Sequence, residues 1–286
     1  MEPNLGTRAM TDVEHEKGSA ATWDQLWKNQ GCNGFLDDNS YVGLCGKIKF
    51  ESFKKVFSRA PGRKSLECGC GLATISTRLA MEGYEVTMLD LSSHALEKVK
   101  NNFKRLGLVG DFVQNDINDM PFEDKTFDLV LSFGVLEHFK DINKPIQEMV
   151  RVLKTGGMFF ADIVPEKFSI HKLADMMNYL VLFSHFMFKL KFRAGYRFFK
   201  NCRPKYFVNS VSLKDYLCVM KMNGLEEIKS GGYGPFANFV LPKFLNKTYL
   251  DFIRMNANFA MNFNLNESNL SKFLGFGWWV AGRKSF

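Results

Sequence analysis

Three acidic residues lie at the ends of successive predicted strands, and a glycine-rich turn directly follows the first of them. Glu67 closes the first predicted strand, Asp90 follows the second and Asp116 follows the third. In an open parallel sheet, ligands bind outside the carboxyl ends of the strands, at the topological switch point. We therefore expect the three carboxylates to meet at one edge of the sheet, around the turn at residues 68–71.

Each of these residue types suits a different part of a nucleoside ligand. Gly69 and Gly71 can adopt positive φ and let the backbone approach a ligand closely. Asp90 lies nineteen residues after Gly71, a spacing typical of a carboxylate that binds vicinal ribose hydroxyls. Asp116 can accept a hydrogen bond from the exocyclic amine of adenine. Glu67 favours a cationic ligand near the turn, through its charge or by orienting backbone amides.

A nicotinamide dinucleotide is the main alternative ligand, and two residues argue against it. Thr74 stands where the third glycine of G-x-G-x-x-G is expected, and that glycine allows close helix–strand packing. Glu67 would also repel a pyrophosphate bound at the start of the following helix. A ligand with ribose and adenine but no phosphate fits better. S-adenosylmethionine is such a ligand, and its sulfonium and ammonium groups are cations.

The elements that must position these residues alternate between strand and helix. Strands are predicted at 64–68, 84–89, 112–114, 127–133 and 158–164, and helices at 73–81, 93–105 and 141–153. This alternation is typical of parallel strands joined by right-handed crossovers. The sequence therefore predicts an α/β fold with a doubly wound, Rossmann-like sheet.

The remainder of the chain is expected to flank and complete this core. Short helices are predicted at 22–30 and 46–57, a later helix at 211–223, and further strands at 225–229 and 276–283. We divide the chain into an N-terminal helical extension (1–60), an α/β core (61–165), a basic, Phe-rich cap insertion (166–210) and a part that completes the sheet (211–286).

An ordered set of motifs resembles the class I S-adenosylmethionine-dependent methyltransferases, closest to the branch that acts on small molecules, quinones, lipids or glycans. The resemblance covers about residues 64–165. It rests on Glu67-Cys68-Gly69-Cys70-Gly71, Asp90-Leu91-Ser92, Asn115-Asp116-Ile117, Met120-Pro121-Phe122, Phe127-Asp128-Leu129-Val130, Gly134-Val135-Leu136-Glu137-His138-Phe139 and Arg151-Val152-Leu153-Lys154-Thr155-Gly156-Gly157.

This resemblance implies S-adenosylmethionine as the cofactor and gives the glycine turn to its methionine moiety. It also implies that Asp90 holds the ribose, that Asp116 and Ile117 hold the adenine, and that Phe133 flanks the cofactor. No metal ion is expected. The predicted cofactor-binding residues are Glu67, Gly69, Cys70, Gly71, Asp90, Leu91, Asp116, Ile117 and Phe133.

His138 is the candidate catalytic residue, because it follows the fourth core strand and could face the acceptor as a general base. It could equally cap or pack a helix start, since methyl transfer depends chiefly on in-line alignment of the reacting atoms. Trp23 and Trp27, four residues apart on one helix face, either close over the ligand or anchor the core.

The net charge of +8 belongs to one segment. Residues 176–214 contain no Asp or Glu but eight bases: Lys189, Lys191, Arg193, Arg197, Lys200, Arg203, Lys205 and Lys214. Three interpretations stay open: a lid with a solvated basic loop, contact with a membrane or an anionic lipid-like acceptor, and stacking on single-stranded nucleic acid. Nucleic acid ranks lowest because the charge is confined to one Phe-rich insertion and no RNA-binding module is recognisable.

Composition favours a cytoplasmic protein, with peripheral membrane contact left open. The six cysteines show neither disulfide-framework nor zinc spacing, as expected in a reducing compartment. The first residues lack a hydrophobic signal core, and the apolar stretch at 176–188 is too short to span a bilayer. The predicted function is methyl transfer to a small-molecule or lipid-linked acceptor. The alternatives are a non-catalytic S-adenosylmethionine-binding partner protein and an RNA methyltransferase.

Overall fold

The computed structural model describes residues 19–29, 36–167, 169–188 and 207–285. Its centre is a seven-stranded sheet in the order β3-β2-β1-β4-β5-β7-β6. The strands are β1 (Lys64–Cys68), β2 (Glu85–Asp90), β3 (Asp111–Gln114), β4 (Phe127–Phe133), β5 (Leu153–Ile163), β6 (Leu225–Tyr233) and β7 (Gly277–Lys284). Strands β1 to β5 pair in parallel, and β7 is antiparallel to both β5 and β6. The predicted doubly wound α/β fold is confirmed.

The strand order reverses at β1, which pairs with β2 on one side and with β4 on the other. At this point the connecting segments leave the sheet in opposite directions, so a crevice opens outside the carboxyl ends of the strands. Glu67 and Asp90 are the penultimate residue of β1 and the last residue of β2. The sheet topology therefore brings both side chains to the crevice.

Helices cover both faces of the sheet. They are α1 (Ala20–Asn29), α2 (Tyr41–Phe57), α3 (Thr74–Met81), α4 (Ser93–Leu106), α5 (Asn143–Val152), α6 (Ile170–Phe188), α7 (Leu213–Met222), α8 (Lys243–Met255), α9 (Ala257–Asn264) and α10 (Asn269–Leu274). Short 3-10 helices span Ile117–Asp119 and Leu136–His138. The predicted N-terminal helices are present as α1 and α2, and α6 forms the described part of the predicted cap.

A cluster of aromatic rings fills the core between the sheet and helix α2. The Phe53 and Phe160 rings lie 4.6 Å apart, and Phe57 meets Phe160 edge to face at 5.3 Å. Trp279 of β7 stacks parallel to Phe160 at 6.2 Å. Ring pairs of this kind add about 0.5–1.5 kcal/mol each beyond the apolar area they bury. Helix α2 is thereby fixed against β5 and β7, next to the crevice.

Element boundaries differ most from the sequence prediction at the starts of α2 and β5. Helix α2 begins at Tyr41 rather than at residue 46, because the Ser40 hydroxyl accepts the Gly43 amide N–H at 2.9 Å and caps the helix start. Strand β5 begins at Leu153, directly after α5, because Leu153 pairs with Phe127 across a register shift in β4. Gly156 and Gly157 consequently lie inside the strand rather than before it.

Helices α8 to α10, between β6 and β7, were not predicted from the sequence. Helices α2 and α9 pack together, and Leu44 and Ile48 share a buried cluster with Ile253 and Ala260. The division into residues 1–60, 61–165, 166–210 and 211–286 remains a prediction.

Seven of the eight bases of the acid-free segment lie at 189–206, outside the described residues. Cys32 and Cys202 also lie outside the described residues. In the part of the chain that the structure describes, no helix is both long and apolar enough to cross a membrane.

Candidate active site

A cavity of about 900 Å³ opens at the carboxyl ends of the strands. All ten residues predicted for the site contribute to its lining: Glu67, Gly69, Cys70, Gly71, Asp90, Leu91, Asp116, Ile117, Phe133 and His138. The sheet order divides the remaining lining residues between two sides. Residues after β2 and β3 lie towards one edge of the sheet and form what we call the β2 half. Residues of α2, α6, α9 and the segment after β6 form the β6 half.

Asp90 fixes the glycine turn to the end of β2. Its Oδ2 accepts the amide N–H of Gly71 at 2.8 Å, and its Oδ1 accepts the amide N–H of Ser92 at 2.8 Å. The side chain is only 6% exposed, and burial raises the pKa of Asp90 although both backbone bonds oppose that shift. A carboxylate has about four acceptor positions. Asp90 can therefore bind ligand hydroxyls while it holds the turn.

The turn itself requires glycine. Gly69 and Gly71 have φ of +67° and +52°, a region that costs other residues about 1–2 kcal/mol. A Cβ on Gly71 would also lie 2.7 Å from Cζ2 of Trp27. Cys70, between them, is buried, and burial raises the pKa of its thiol well above the usual value. It lines the cavity as a neutral group.

Glu67 caps helix α3 through the backbone. Its Oε2 accepts the amide N–H of Ser76 at 3.0 Å, whereas Ala73, at the N-cap position, offers no side-chain hydrogen bond. Glu67 is 2% exposed, and burial raises its pKa to about 7. The start of α3, where a dinucleotide fold would bind pyrophosphate, is thus already bonded to a protein carboxyl group. Glu67 therefore orients the Ser76 backbone amide. Orienting backbone amides is one of the two roles predicted for it.

The far end of the β2 half is formed by the segment after β3. Asp116 is exposed, and its Oδ1 accepts the backbone N–H of Asn118 at 2.8 Å, which begins the 3-10 helix. Ile117 is buried beside it, and the Leu91 carbonyl accepts the Gln114 side-chain amide at 3.3 Å. An apolar side chain and a carboxylate therefore lie next to each other, an arrangement that suits recognition of adenine.

Helix α1 covers the β2 half and brings both tryptophans to the cavity. Asp24 accepts hydrogen bonds from the Ser92 hydroxyl and from the His94 amide N–H, the latter at 3.3 Å. Lys98 donates to the carbonyl oxygen of Trp27. These bonds dock α1 on the start of α4, next to the Asp90 carboxyl. Trp23 and Trp27 line the cavity. Of the two roles considered for them, this position agrees with closing over the ligand rather than anchoring the core.

His138 is held in place by neighbours on two sides. Its Nδ1 lies 2.7 Å from the carbonyl oxygen of Phe207, which can only accept, so Nδ1 carries the proton. The ring lies 4.8 Å from the Trp23 ring, and the backbone of Gly134 also bonds to it. Burial lowers the pKa of His138, so the ring is neutral near pH 7. This setting suits a packing residue that lines the cavity as well as it suits a base.

A cluster of buried carboxyl groups beneath the cavity escaped the sequence prediction. Glu67, Glu137 and Asp162 are each at most 2% exposed, and Lys49 of α2 forms an ion pair with Asp162. Burial raises the pKa of Glu137 to about 8. Within the described residues, no group of three or more His, Cys, Asp or Glu side chains is arranged to hold a metal ion.

Lys49 lies at the boundary between the two halves of the cavity. Its Nζ is 4.7 Å from the centre of the Phe133 ring and 4.8 Å from that of the Tyr233 ring. The Tyr233 hydroxyl donates to Asp162, and burial together with the nearby carboxylates raises the pKa of Tyr233 well above its usual value. The available signal was a lysine flanked by the apolar residues Ile48 and Phe50, in a helix that carries three further lysines. Its partner in β5 could not be identified from local pattern.

The β6 half has aromatic walls with a few polar groups. Tyr41, Phe236 and Phe276 line it together with Tyr233. Its polar lining residues include His171, Asp175 and Asn264. His171 bonds the Gly234 carbonyl at 2.9 Å through Nε2, and Asn264 accepts the Gly234 amide N–H at 2.9 Å. These bonds fix the segment after β6, so that the aromatic walls are held in position.

The chemistry of the two halves fits a sulfonium nucleoside better than a dinucleotide. The β2 half offers the carboxylates of Asp90 and Asp116 for hydroxyl and amine groups, and the start of α3 is closed to anions by Glu67. The β6 half offers apolar and aromatic surface, where a second molecule could bind. S-adenosylmethionine fits the β2 half, where these residues would hold it.

Comparisons with known proteins agree with this arrangement. Residues 66–161 match a family described as "Methyltransferase domain". Over 113 residues the chain is 35% identical to sterol methyltransferase-like 2 of Botryococcus braunii, which covers 38% of this chain and 29% of that protein. The chain therefore spans less than a third of that relative's length. It is also 23% identical over 214 residues to the ubiquinone biosynthesis O-methyltransferase of Actinobacillus pleuropneumoniae, covering 73% and 85% of the two chains.

The fold itself matches solved structures along almost its whole length. A S-adenosylmethionine-dependent methyltransferase from Thermotoga maritima, described as a possible histamine N-methyltransferase, superposes with a TM-score of 0.56. The match covers 96% of this chain and 100% of that one at 14% identity. Residues 66–161 are therefore similar to methyltransferase domains, and the chain shares its fold with the S-adenosylmethionine-dependent methyltransferase from Thermotoga maritima.

Proposed function

We propose that this chain transfers a methyl group from S-adenosylmethionine to a small or lipid-linked acceptor. The observation that carries the proposal is the single cavity, in which a carboxylate-lined β2 half adjoins an aromatic β6 half. A cofactor in the first half and an acceptor in the second would meet near Phe133. A protein that only bound the cofactor would have no need of the second half.

In the β2 half, each predicted residue has a contact to make. Asp90 accepts the ribose hydroxyls, and Asp116 with Ile117 holds the adenine. Cys70 and the glycines beside it pass the methionine moiety, where a side chain would collide with Trp27. Two further residues complete the predicted set: Leu91 and Phe133 flank the cofactor.

When bound, the cofactor supplies an electrophilic methyl group on a positively charged sulfur. The chain's own contribution is alignment, because holding two reactants in line accounts for much of the acceleration of such reactions. Glu67 fixes the start of α3 and Asp90 fixes the turn, so the β2 half is rigid before ligand binding. Trp23 and Trp27 cover it from α1 and exclude water from the reacting atoms.

The acceptor class is supported by the walls of the β6 half and by the names of similar proteins. Tyr41, Phe236 and Phe276 present rings rather than charges, which suits an aromatic or isoprenoid-like molecule. The relatives are described as acting on sterols or in ubiquinone biosynthesis. A lipid-linked acceptor of quinol or sterol type therefore agrees with the cavity.

Access to such an acceptor would be aided by contact with a membrane. Helix α6 exposes large apolar side chains at 45–59% of their surface: Leu173, Met176, Met177, Leu180 and Val181. The basic residues of 189–206 follow it directly in the sequence. An apolar helix face next to several bases is typical of interfacial binding to anionic lipid.

A direct experiment is to incubate the protein with methyl-labelled S-adenosylmethionine and fractionated cell extract. We expect label in an extractable lipid or small-molecule fraction, and loss of that label in Asp90→Ala. Glu85→Ala, at the exposed opposite end of β2, serves as the matched control and should retain activity. Label that appears only in RNA, or no label with any fraction, would contradict the proposal.

A further inference from the structure

The proposed function leaves open which acceptor atom meets the cofactor, and the boundary between the two halves bears on this. The residue at that boundary is Lys49, a cation beside the aromatic rings of Phe133 and Tyr233. The polar lining residues of the β6 half include His171, Asp175 and Asn264. Its side chain is 23% exposed and lines the cavity. A lysine in such a position restricts the charge of what can bind beside it, because like charges in a desolvated site repel strongly.

The neighbours of Lys49 are one carboxylate and two aromatic rings. Asp162 pairs with it from the end of β5, and Phe133 and Tyr233 lie on either side at 4.7 and 4.8 Å. A lysine ammonium has three N–H donors, and one ion pair accounts for only part of that capacity. The Asp162 charge is compensated by the same ammonium and by the Tyr233 hydroxyl that donates to it.

Two further carboxyl groups of the cluster carry less charge near neutral pH than exposed carboxylates do. Burial raises the pKa of Glu137 to about 8 and that of Glu67 to about 7, so Glu137 is mostly protonated and Glu67 is partly ionised. A ligand oxyanion at Lys49 would interact directly with the ammonium, while Asp162 offsets part of that charge. On the β2 side it would face the position proposed for the sulfonium, which is also a cation.

We propose that Lys49 is the residue that binds the acceptor oxygen, and that the acceptor is a phenol or enol that reacts as its anion rather than an aliphatic amine. This inference rests on the proposed function. The acceptor loses its proton to solvent on ionisation, and its oxygen, or a ring carbon conjugated with it, forms the new bond to the methyl carbon. The carbon–sulfur bond breaks, and its electron pair stays on sulfur.

An ammonium acceptor is disfavoured by the same geometry. A protonated aliphatic amine near Lys49 would place two cations in one desolvated wall, in addition to the sulfonium. A phenolate reverses each of these interactions. A neighbouring opposite charge lowers the pKa of a bound acid by about 1–3 units, so Lys49 would increase the fraction of acceptor present as the reactive anion.

The test uses a coloured phenol and does not depend on turnover. The purified protein is saturated with S-adenosylhomocysteine, 4-nitrophenol is added, and its ionisation is followed by absorbance across a pH series. We expect the pKa of the bound phenol to lie at least about one unit below that of the free phenol. Lys49→Met should abolish this shift and weaken phenolate binding by about tenfold or more.

Several controls make the outcome specific. Lys47→Met removes an exposed lysine of the same helix, which pairs with Asp38, and should leave the shift intact. Lys49→Arg keeps the charge and should retain most of it. The methyl ether 4-nitroanisole has no ionisable oxygen, and its affinity should change less than about twofold in all variants, as an uncharged contact predicts.

Loss of the lysine leaves Asp162 buried without its cation, so folding needs a separate control. The double variant Lys49→Met/Asp162→Asn removes both charges. It should fold, but it should not lower the pKa of the bound phenol. If Lys49→Met or the double variant lowers the pKa of the bound phenol as much as the wild type does, Lys49 does not bind the acceptor oxygen. If the wild type binds S-adenosylhomocysteine but neither binds nor ionises the phenol, the acceptor class is wrong. Failure to bind S-adenosylhomocysteine at all would instead overturn the proposed function.

Discussion

The amide N–H of Gly71 donates to the Asp90 carboxylate at 2.8 Å, so the turn after β1 and the end of β2 are joined by one hydrogen bond. The same carboxylate accepts the Ser92 amide at the start of α4. The residue that the sequence assigns to a ribose is thus also the residue that shapes the glycine turn. The carboxylate predicted to bind the ligand is therefore also a buried structural link between the turn after β1 and the start of α4.

Gly71→Ala is expected to destabilise the protein more than the same substitution at another glycine with a similar φ. The added Cβ would overlap the Trp27 ring, which adds about 1–3 kcal/mol to the strain of positive φ. Gly107→Ala is the matched control, since Gly107 has φ of +66° and open space around its Cα. Chemical unfolding should show the difference. Adding Trp27→Ala should recover part of the loss at Gly71 and none at Gly107; equal losses at the two glycines would contradict the contact.

The buried Glu137 predicts that stability falls as pH rises through the neutral range. Its pKa is raised in the folded protein to about 8, while in an unfolded chain it lies near 4.3. Between these values the folded state binds the proton more tightly, so the free energy of unfolding decreases as pH increases. Glu137→Gln retains an acceptor for the Val164 amide and should flatten this dependence. Urea unfolding at pH 5 to 8 is the measurement, with exposed Glu85→Gln expected to follow the wild type.

The sequence predicted the β2 half well and the β6 half hardly at all. Strand β4 is a buried apolar run, and β1 and β2 are buried from their second residue onward. Glu67 and Asp90 lie at the carboxyl ends of β1 and β2, so position along the chain sufficed to place them. The β6 half depends instead on contacts between distant segments. Lys49 finds its partner Asp162 more than a hundred residues later, and no local pattern contains that pairing.

The helices between β6 and β7 were missed for a related reason. Their sequence is interrupted by asparagines, which have weak helix propensity, so tertiary packing decides their structure. Asn264 shows this clearly, because its side-chain amide donates to the Ser52 hydroxyl of α2 and its oxygen accepts the Gly234 amide. Asn264, a residue type common in loops, is buried here and bonds both helix α2 and the segment after β6.

His138→Ala should leave cofactor affinity within a few-fold of the wild type, because the His138 ring is bonded to the Phe207 carbonyl and meets the β2 half through the Trp23 ring rather than through the carboxylates. Turnover distinguishes its two roles. A general base contributes about 10²–10⁴-fold, whereas a packing residue affects the rate through stability alone. We expect the smaller effect, with His138→Gln close to the wild type. A loss of 10² or more in both variants, with cofactor affinity unchanged, would identify it as the base.

Replacing Lys189, Lys191, Arg193 and Arg197 by Gln should abolish a preference for anionic membranes. Each base near such a surface contributes about 1 kcal/mol, and salt should weaken the attraction. Sedimentation with neutral and anionic vesicles, at low and high salt, measures this directly. Cofactor affinity should be unaffected by the four substitutions. Wild-type protein that stays in the supernatant with both vesicle types would indicate a soluble acceptor instead.

The central claim is that the carboxylate-lined β2 half binds S-adenosylmethionine, and titration calorimetry tests it most directly. The wild type should bind S-adenosylmethionine and S-adenosylhomocysteine, and it should not bind NAD, because Glu67 already occupies the start of α3. Asp90→Ala should weaken binding by about 1–3 kcal/mol, the range for losing hydrogen bonds to a charged group, while Glu85→Ala should bind like the wild type. Binding of NAD, or equal cofactor affinity in Asp90→Ala and wild type, would contradict the assignment.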